Sequence, residues 1–472
     1  MKVQSTPPTG QSQTFDVAET FFSTTDLRGL ITAGNEVFCR TSGFPFEEMF
    51  GQPHNLVRSP AMPRAVFHQM WKTIRAGRLF MGYVKNQARN GNHYWVFAVI
   101  VPIARGYLSV RIKPTSPLLR TIEALYRRLQ EGEAAALERG ESEGNAAEVG
   151  VALLQAEVEK LGYATYDAFS HHALNTEIKS RDAEVASRRL RLFPEELGVT
   201  GEENSQAELG QLYALGLQVY QGLSGLFSSL DAFVEICRNI RIHQDEVQRI
   251  SDEFRLNALN AHIAAHPLGA EGIALGTVAQ ALNGHGQTLS RHVGVFAERI
   301  LRTTGAVNDV TSNLSAARIQ VEMLLSFLAE SAQQRHEGAE RERWQTMIAD
   351  LRAASTSTIG NAARAMGRVQ VCVPEVLEAK EQLRKDILFI QVAQVSGMTE
   401  VSRLRDGESL HATFTGLRQQ VEGGKGELEH LDRIVDELQV LALNTPPRVA
   451  AIEQALSGQE VGAAGAAEAR AS

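Results

Sequence analysis

The 472-residue chain is 43% hydrophobic and 22% charged, too apolar for a disordered polymer and long enough for about two to four packed domains. Its 47 Lys and Arg against 55 Asp and Glu leave a formal charge of -8, which argues against nucleic acid or an anionic lipid surface and leaves proteins as the expected partners. Cys39, Cys237 and Cys372 are far apart with no metal-ligand spacing, and no run approaches the roughly 18 apolar residues of a membrane span, so a reducing, cytoplasmic location is expected.

Residues 1–14 have no apolar core and are expected to be a flexible lead. From 15 to 115 short segments alternate with Gly, Pro and Asn punctuation, which predicts an α+β domain. A strand from Phe21 turns at Asp26 to Gly29 into a second strand over Leu30 to Ala33, and Asn35 is placed to cap the helix that follows. Pro63 opens a longer helix whose apolar face carries Val66, Phe67, Met70, Trp71 and Ile74. Beyond it lies a hairpin turning at Asn90-Gly91-Asn92, then a last strand over Gly106 to Ile112.

From about 116 onward the composition shifts to Ala, Leu, Glu, Gln and Arg, as helices require. The glycine-rich, charged stretch 131–150 predicts a hinge within a 116–150 linker, and 151–204 a helical connector. In the 205–456 body, Val219, Leu223, Leu226, Leu230, Phe233, Cys237 and Ile240 step by four and three, a heptad seam continuing to Ala261. A second stripe at Leu275, Val278, Leu282, Leu289, Val293, Phe296 and Ile300 follows the Pro267-Leu268-Gly269 break, which predicts two antiparallel helices turning near 266–272. RISDEFRLNALN (249–260) is echoed by RIVDELQVLALN (433–444), either a related unit or chance likeness between amphipathic helices. Residues 457–472 are small and polar and predict a flexible tail.

The segments FSTTDLRGLIT, GQPHNLVRSPAMP, VKNQARNGNHYWV and GYLSVR resemble the flavin-binding PAS domain of aerotaxis receptors. The resemblance implies a five-stranded antiparallel sheet with short helices, followed here by an all-α, antiparallel coiled-coil-like bundle. It also implies FAD between sheet and helices, its redox state being the signal. Carried over by position, Arg58, Trp71 and Asn86 fall near the cofactor, with His54 and Asn55 in the shared PHN element. Ser59 and Ala61 stand where that family has His and Asp, which keeps open a cofactor-free scaffold. Haem would need an axial imidazole, but His68 falls on the solvated side of its helix, and His93, at a strand start, reads as structural or exposed.

NALNAHIAAHPLGAEGIALGTVAQAL (257–282) is similar to the signalling tip of chemotaxis receptors, with Asn257, Asn260, Gly269 and Gly272 at matching positions. That likeness implies a homodimer and contact with a histidine kinase or its adaptor. The family's charged tip residues are replaced by Ala264, Pro267, Ala270 and Ile273, which weakens the expected coupling. His262, His266, His285 and His292 lack ligand spacing and read as polar-layer residues. No phosphate loop, HExxH or GxSxG occurs, so the expectation is not an enzyme but a sensor of redox, oxygen or a small ligand that passes its signal through the helices to a chemotaxis-type or other protein partner.

Overall fold

In a computed structural model, which describes residues 6–194, 197, 204–333, 338–404 and 408–468, the Asp26 carboxylate accepts from the amides of Arg28 and Leu30, both at 2.9 Å. This closes the turn between β1 (Phe21–Asp26) and β2 (Ile31–Gly34). The side chain of Asn35 accepts from the amide of Phe38 and so caps α1 (Glu36–Ser42). A four-residue α2 (Phe46–Met49) and a 3-10 turn (His54–Val57) lead to α3 (Arg64–Arg75), which starts directly after Pro63. Next come β3 (Phe80–Gln87), β4 (His93–Ile103) and β5 (Gly106–Ile112), and the sheet runs β2-β1-β5-β4-β3, with every pairing antiparallel.

The register sorts the sheet into two faces. Phe21 and Ser23 pair with Arg111 and Ser109, Arg111 pairs with Ala98, and Tyr94 pairs with Asn86, so these residues share the face that meets α1 and α3. Phe22, Tyr83 and Phe97 belong to the opposite face, which is covered by later helices.

Of the lead expected to be flexible over 1–14, residues 1–5 lie outside the described residues and 6–14 are anchored. Thr9 and Gln13 donate their amides to the carbonyls of Gly91 and His93 at 3.0 and 2.7 Å, and Gln87 donates its side-chain amide to the Thr6 carbonyl. The hairpin leaves these carbonyls without strand partners, and a segment some eighty residues upstream meets them; local composition carries no sign of such pairing.

The 131–150 stretch, predicted as a hinge, is the end of α4 (Leu118–Glu138) and the start of α5 (Glu143–Lys160), with a short turn between. Its charge misleads, because Glu133 is buried and accepts from the amides of Arg64 and Ala65 at the start of α3. α6 (Tyr166–Ser187) lies against the far face of the sheet, where Glu177 accepts from the Tyr83 hydroxyl at 2.6 Å and from the amides of Thr115 and Ser116.

Four long helices follow: α7 (Asn204–Ala265), α8 (Ile273–Ala332), α9 (Gly338–Val401) and α10 (Glu408–Glu468). Of the tail expected to be flexible over 457–472, residues 457–468 are helical as the end of α10, and 469–472 lie outside the described residues. The chain divides into two units, the first holding residues 1–227, 311–362 and 449–472, the second 228–310 and 363–448.

In the first unit, the Phe22 ring meets Phe327 of α8 edge-on at 5.1 Å, and Phe327 stacks on Trp344 of α9 at 4.3 Å. In the second unit the helices run antiparallel. Gln248 bonds Ser290, His292 bonds Asp386, His243 bonds Glu427, and Lys380 pairs with Asp432. The heptad positions Leu230, Phe233, Cys237, Ile240 and Phe254 are buried, as are Leu282, Val293 and Phe296 across from them. The echoing segments lie on α7 and α10, which run in opposite directions, so they are not equivalent points of a duplicated hairpin. No helix among the described residues is long and apolar enough to cross a membrane.

Candidate functional site

Between the sheet and α1 to α3 lies an interior lined by aromatic rings around a buried cation. Arg111 of β5 is 4% exposed. It donates to Ser23 Oγ at 2.9 Å and His54 Nε2 at 2.8 Å, and its guanidinium lies 5.6 and 5.5 Å from the rings of Phe21 and Phe38. Because arginine can only donate, His54 Nε2 is an acceptor and the ring is neutral, with its proton on Nδ1. Burial, followed by the adjacent Arg111 charge, pushes the His54 pKa down to about 3. Burial likewise lowers Arg111 itself to about 10.

On the same sheet face three polar groups are buried with no hydrogen-bond partner: the Asn86 side-chain nitrogen, the Tyr94 hydroxyl and the Ser109 hydroxyl. Burial raises the Tyr94 pKa, so this hydroxyl keeps its proton. Orphaned groups of this kind cost stability unless something bonds them.

The residues singled out from sequence are only partly gathered here. Asn86 is buried in the interior, His54 is half-buried and reaches Arg111 there, and Trp71 stands at the edge, half-buried, meeting Tyr107 edge-on at 5.6 Å. Arg58 is half-buried beside Asn86, its backbone bridged to that residue, its guanidinium donating to the Met62 carbonyl and covering the Phe67 ring at 4.2 Å. Asn55 is exposed on the outside of its 3-10 turn. His68 is exposed on α3, and His93 is half-buried.

Arg111, Ser23, Tyr94 and Ser109 were not singled out in advance. The one local signal for Arg111 was a charged residue between Val110 and Ile112 in a strand that is buried throughout.

The sequence profile of a family described as PAS fold matches residues 31–111. The N-terminal domain is a PAS domain. The curated Aerotaxis receptor of Escherichia coli (strain K12) is 45% identical over 118 residues, covering 24% of this chain and 23% of that protein. The Nitrogen fixation regulatory protein of Klebsiella pneumoniae is 35% identical over 86 residues, covering 18% and 17%. Thus the chain spans less than a quarter of the length of either relative. A solved PAS domain of a protein from Colwellia psychrerythraea is 21% identical, covering 20% of this chain and 85% of that one, with a TM-score of 0.18.

The PAS interior fits the ring of a flavin by its donor set. The buried hydroxyls and amide want partners, the lining rings are flat and apolar, and the Arg111 cation shares their sheet face.

The predicted tip is a 3-10 segment (His266–Gly272) between α7 and α8. Gly269 has φ 55° and ψ -127°, a conformation essentially reserved for glycine, and a Cβ on Gly272 would stand 2.1 Å from the Ala265 carbonyl oxygen. Asn257 is half-buried and Asn260 exposed on the last turns of α7. Of the tip histidines, His262 meets the Gly276 carbonyl, His285 stacks on Phe389, and His292 bonds Asp386, a carboxylate 94 residues away that no local spacing reveals. Among the described residues no group of His, Cys, Asp and Glu is arranged to hold a metal.

Proposed function

We propose that this protein is a cytoplasmic signal-transduction sensor whose PAS domain takes FAD and passes its redox state through the helices to a protein partner. The observation that carries the reading is the set of orphaned polar atoms at Asn86, Tyr94 and Ser109, on a domain 45% identical to an aerotaxis receptor. When bound, the flavin supplies a reversible change of electrons and charge. Asn86, Tyr94 and Ser109 would bond its polar edge, Trp71 would bound one face, and Arg58 would meet its phosphates with the N–H groups left beyond Met62.

The far face of the sheet supplies the route outward. Tyr83 reports to Glu177 of α6, and Phe22 reports through Phe327 to Trp344. The downstream partner is a second copy of this chain together with a histidine kinase or adaptor of the chemotaxis type, engaged by the tip around Asn257, Asn260, Gly269 and Gly272. No turnover is assigned to the chain.

The absorbance spectrum of the purified full chain tests the reading. Flavin bands, or bands gained when FAD is added, are expected. Their absence after reconstitution would turn the assignment to a cofactor-free PAS scaffold. That second reading is favoured by one observation: Arg111 already bonds His54 and Ser23 among well-packed rings.

A further inference from the structure

Arg111 is a buried cation whose hydrogen bonds all go to neutral groups: Ser23 Oγ, His54 Nε2 and the Ser109 carbonyl. Neutral partners satisfy its N–H groups but leave its charge uncompensated, and an uncompensated buried charge is costly to keep. A methionine or leucine would fill the same space beside the stacked Phe21 and Phe38 rings at lower cost. The charge has a use only when a negative group arrives. His54 does not compete for that group as a second cation, since the geometry that binds Arg111 requires its neutral form.

We propose that Arg111, held in place by Ser23 and His54, is the anion-stabilising pole of the PAS interior, and that the charge it meets is that of the reduced flavin ring. This rests on the flavin reading above. An oxidised flavin ring is neutral and gains little from the guanidinium. The reduced, singly deprotonated ring carries a full negative charge, which a cation in a low-dielectric interior stabilises strongly. Differential stabilisation of this kind sets the redox poise of the bound ring, and with it the range of conditions the sensor reports. Ser23 and His54 act as positioning residues: they fix the guanidinium without neutralising it.

The test compares the full chain, loaded with FAD and reduced with dithionite in the presence of mediator dyes, with its Arg111→Gln variant. Glutamine keeps a hydrogen-bond donor and loses the charge. The expected result is a loss of at least tenfold in the preference for reduced over oxidised flavin, about 30 mV downward for a two-electron couple. Arg111→Lys should stay within a few-fold of the parent. Ser23→Asp, which sets a carboxylate against the guanidinium, should reproduce the loss with Arg111 intact and covers the case in which Arg111→Gln does not fold. An unchanged potential in Arg111→Gln, or in Ser23→Asp if only that variant folds, overturns the proposal and leaves the flavin reading standing. A parent chain that binds no FAD overturns both.

Discussion

Arg181 of α6 and Glu322 of α8 form a two-bond ion pair at 2.6 and 3.0 Å, with side chains 3% and 2% exposed. The same guanidinium donates to the carbonyls of Val17 and Ala18, so one side chain ties the segment before β1 to two helices. Removing one partner strands the other charge in the interior. Glu322→Ala should therefore cost about 3 to 5 kcal/mol, whereas the double change Arg181→Met with Glu322→Leu should recover most of that loss. Urea denaturation of the parent and the two variants checks this; equal losses in the single and double variants would contradict it.

Glu133 spans from α4 to the start of α3, accepting at 2.9 and 2.8 Å from two amides that lack helical partners. Glu133→Ala should cost about 1.5 to 3 kcal/mol, the range for hydrogen bonds to a charged group. Hydrogen exchange at the amides of Arg64 and Ala65 should rise ahead of the rest of α3. Uniform exchange across the helix would argue against a capping role.

Two groups give opposite pH responses. His54 is held neutral, with its folded pKa near 3 against an ordinary 6.5, so its contribution is present above 6.5 and is lost as pH falls towards 3. His54→Gln should flatten the acid limb of a melting-temperature profile over that window. Glu330 of α8 accepts from the Glu36 amide, and burial raises its pKa to about 7, so its contribution is present below 4.5 and is lost as pH rises through 7. Glu330→Gln should make the protein relatively more stable at pH 8 than at pH 5. Parallel profiles for parent and variant would refute either assignment.

At the α7–α8 turn, a methyl group on Gly272 would press into the Ala265 carbonyl. Gly272→Ala should cost about 1 to 3 kcal/mol, the usual range for overpacking. The damage should be confined to the tip, visible as faster exchange around 262–276 with the PAS domain unchanged. Loss of exchange protection in the PAS domain would show that the turn does not behave as a local element.

The order of strands and helices in the PAS domain was legible in the sequence because each element carries its own local chemistry. Asp26 and Asn35 bond backbone groups within five residues of themselves, and Pro63 fixes a helix start by its own ring. The seam from Val219 to Ala261 was legible for the same reason, since one helix face is set by spacing alone. Asn86 and His54 were reached through the likeness of short motifs; Asn86 is buried on the sheet face of Arg111 and His54 is half-buried against it.

What tertiary structure decided are the relations between residues far apart in the chain. Glu133 looked like part of a solvated linker and is a buried cap on a helix 68 residues away, and residues 6–14 looked loose and are bonded across the hairpin. Arg111 could be read only as one charge in an apolar strand. That it stands beside the stacked Phe21 and Phe38 rings with neutral partners, on the sheet face that carries the unpaired groups of Asn86, Tyr94 and Ser109, follows from strand register and helix docking. The physical reason is the range of the forces involved. Capping, turns and amphipathic spacing act within a few residues, whereas burial and charge pairing depend on whichever surfaces folding brings together.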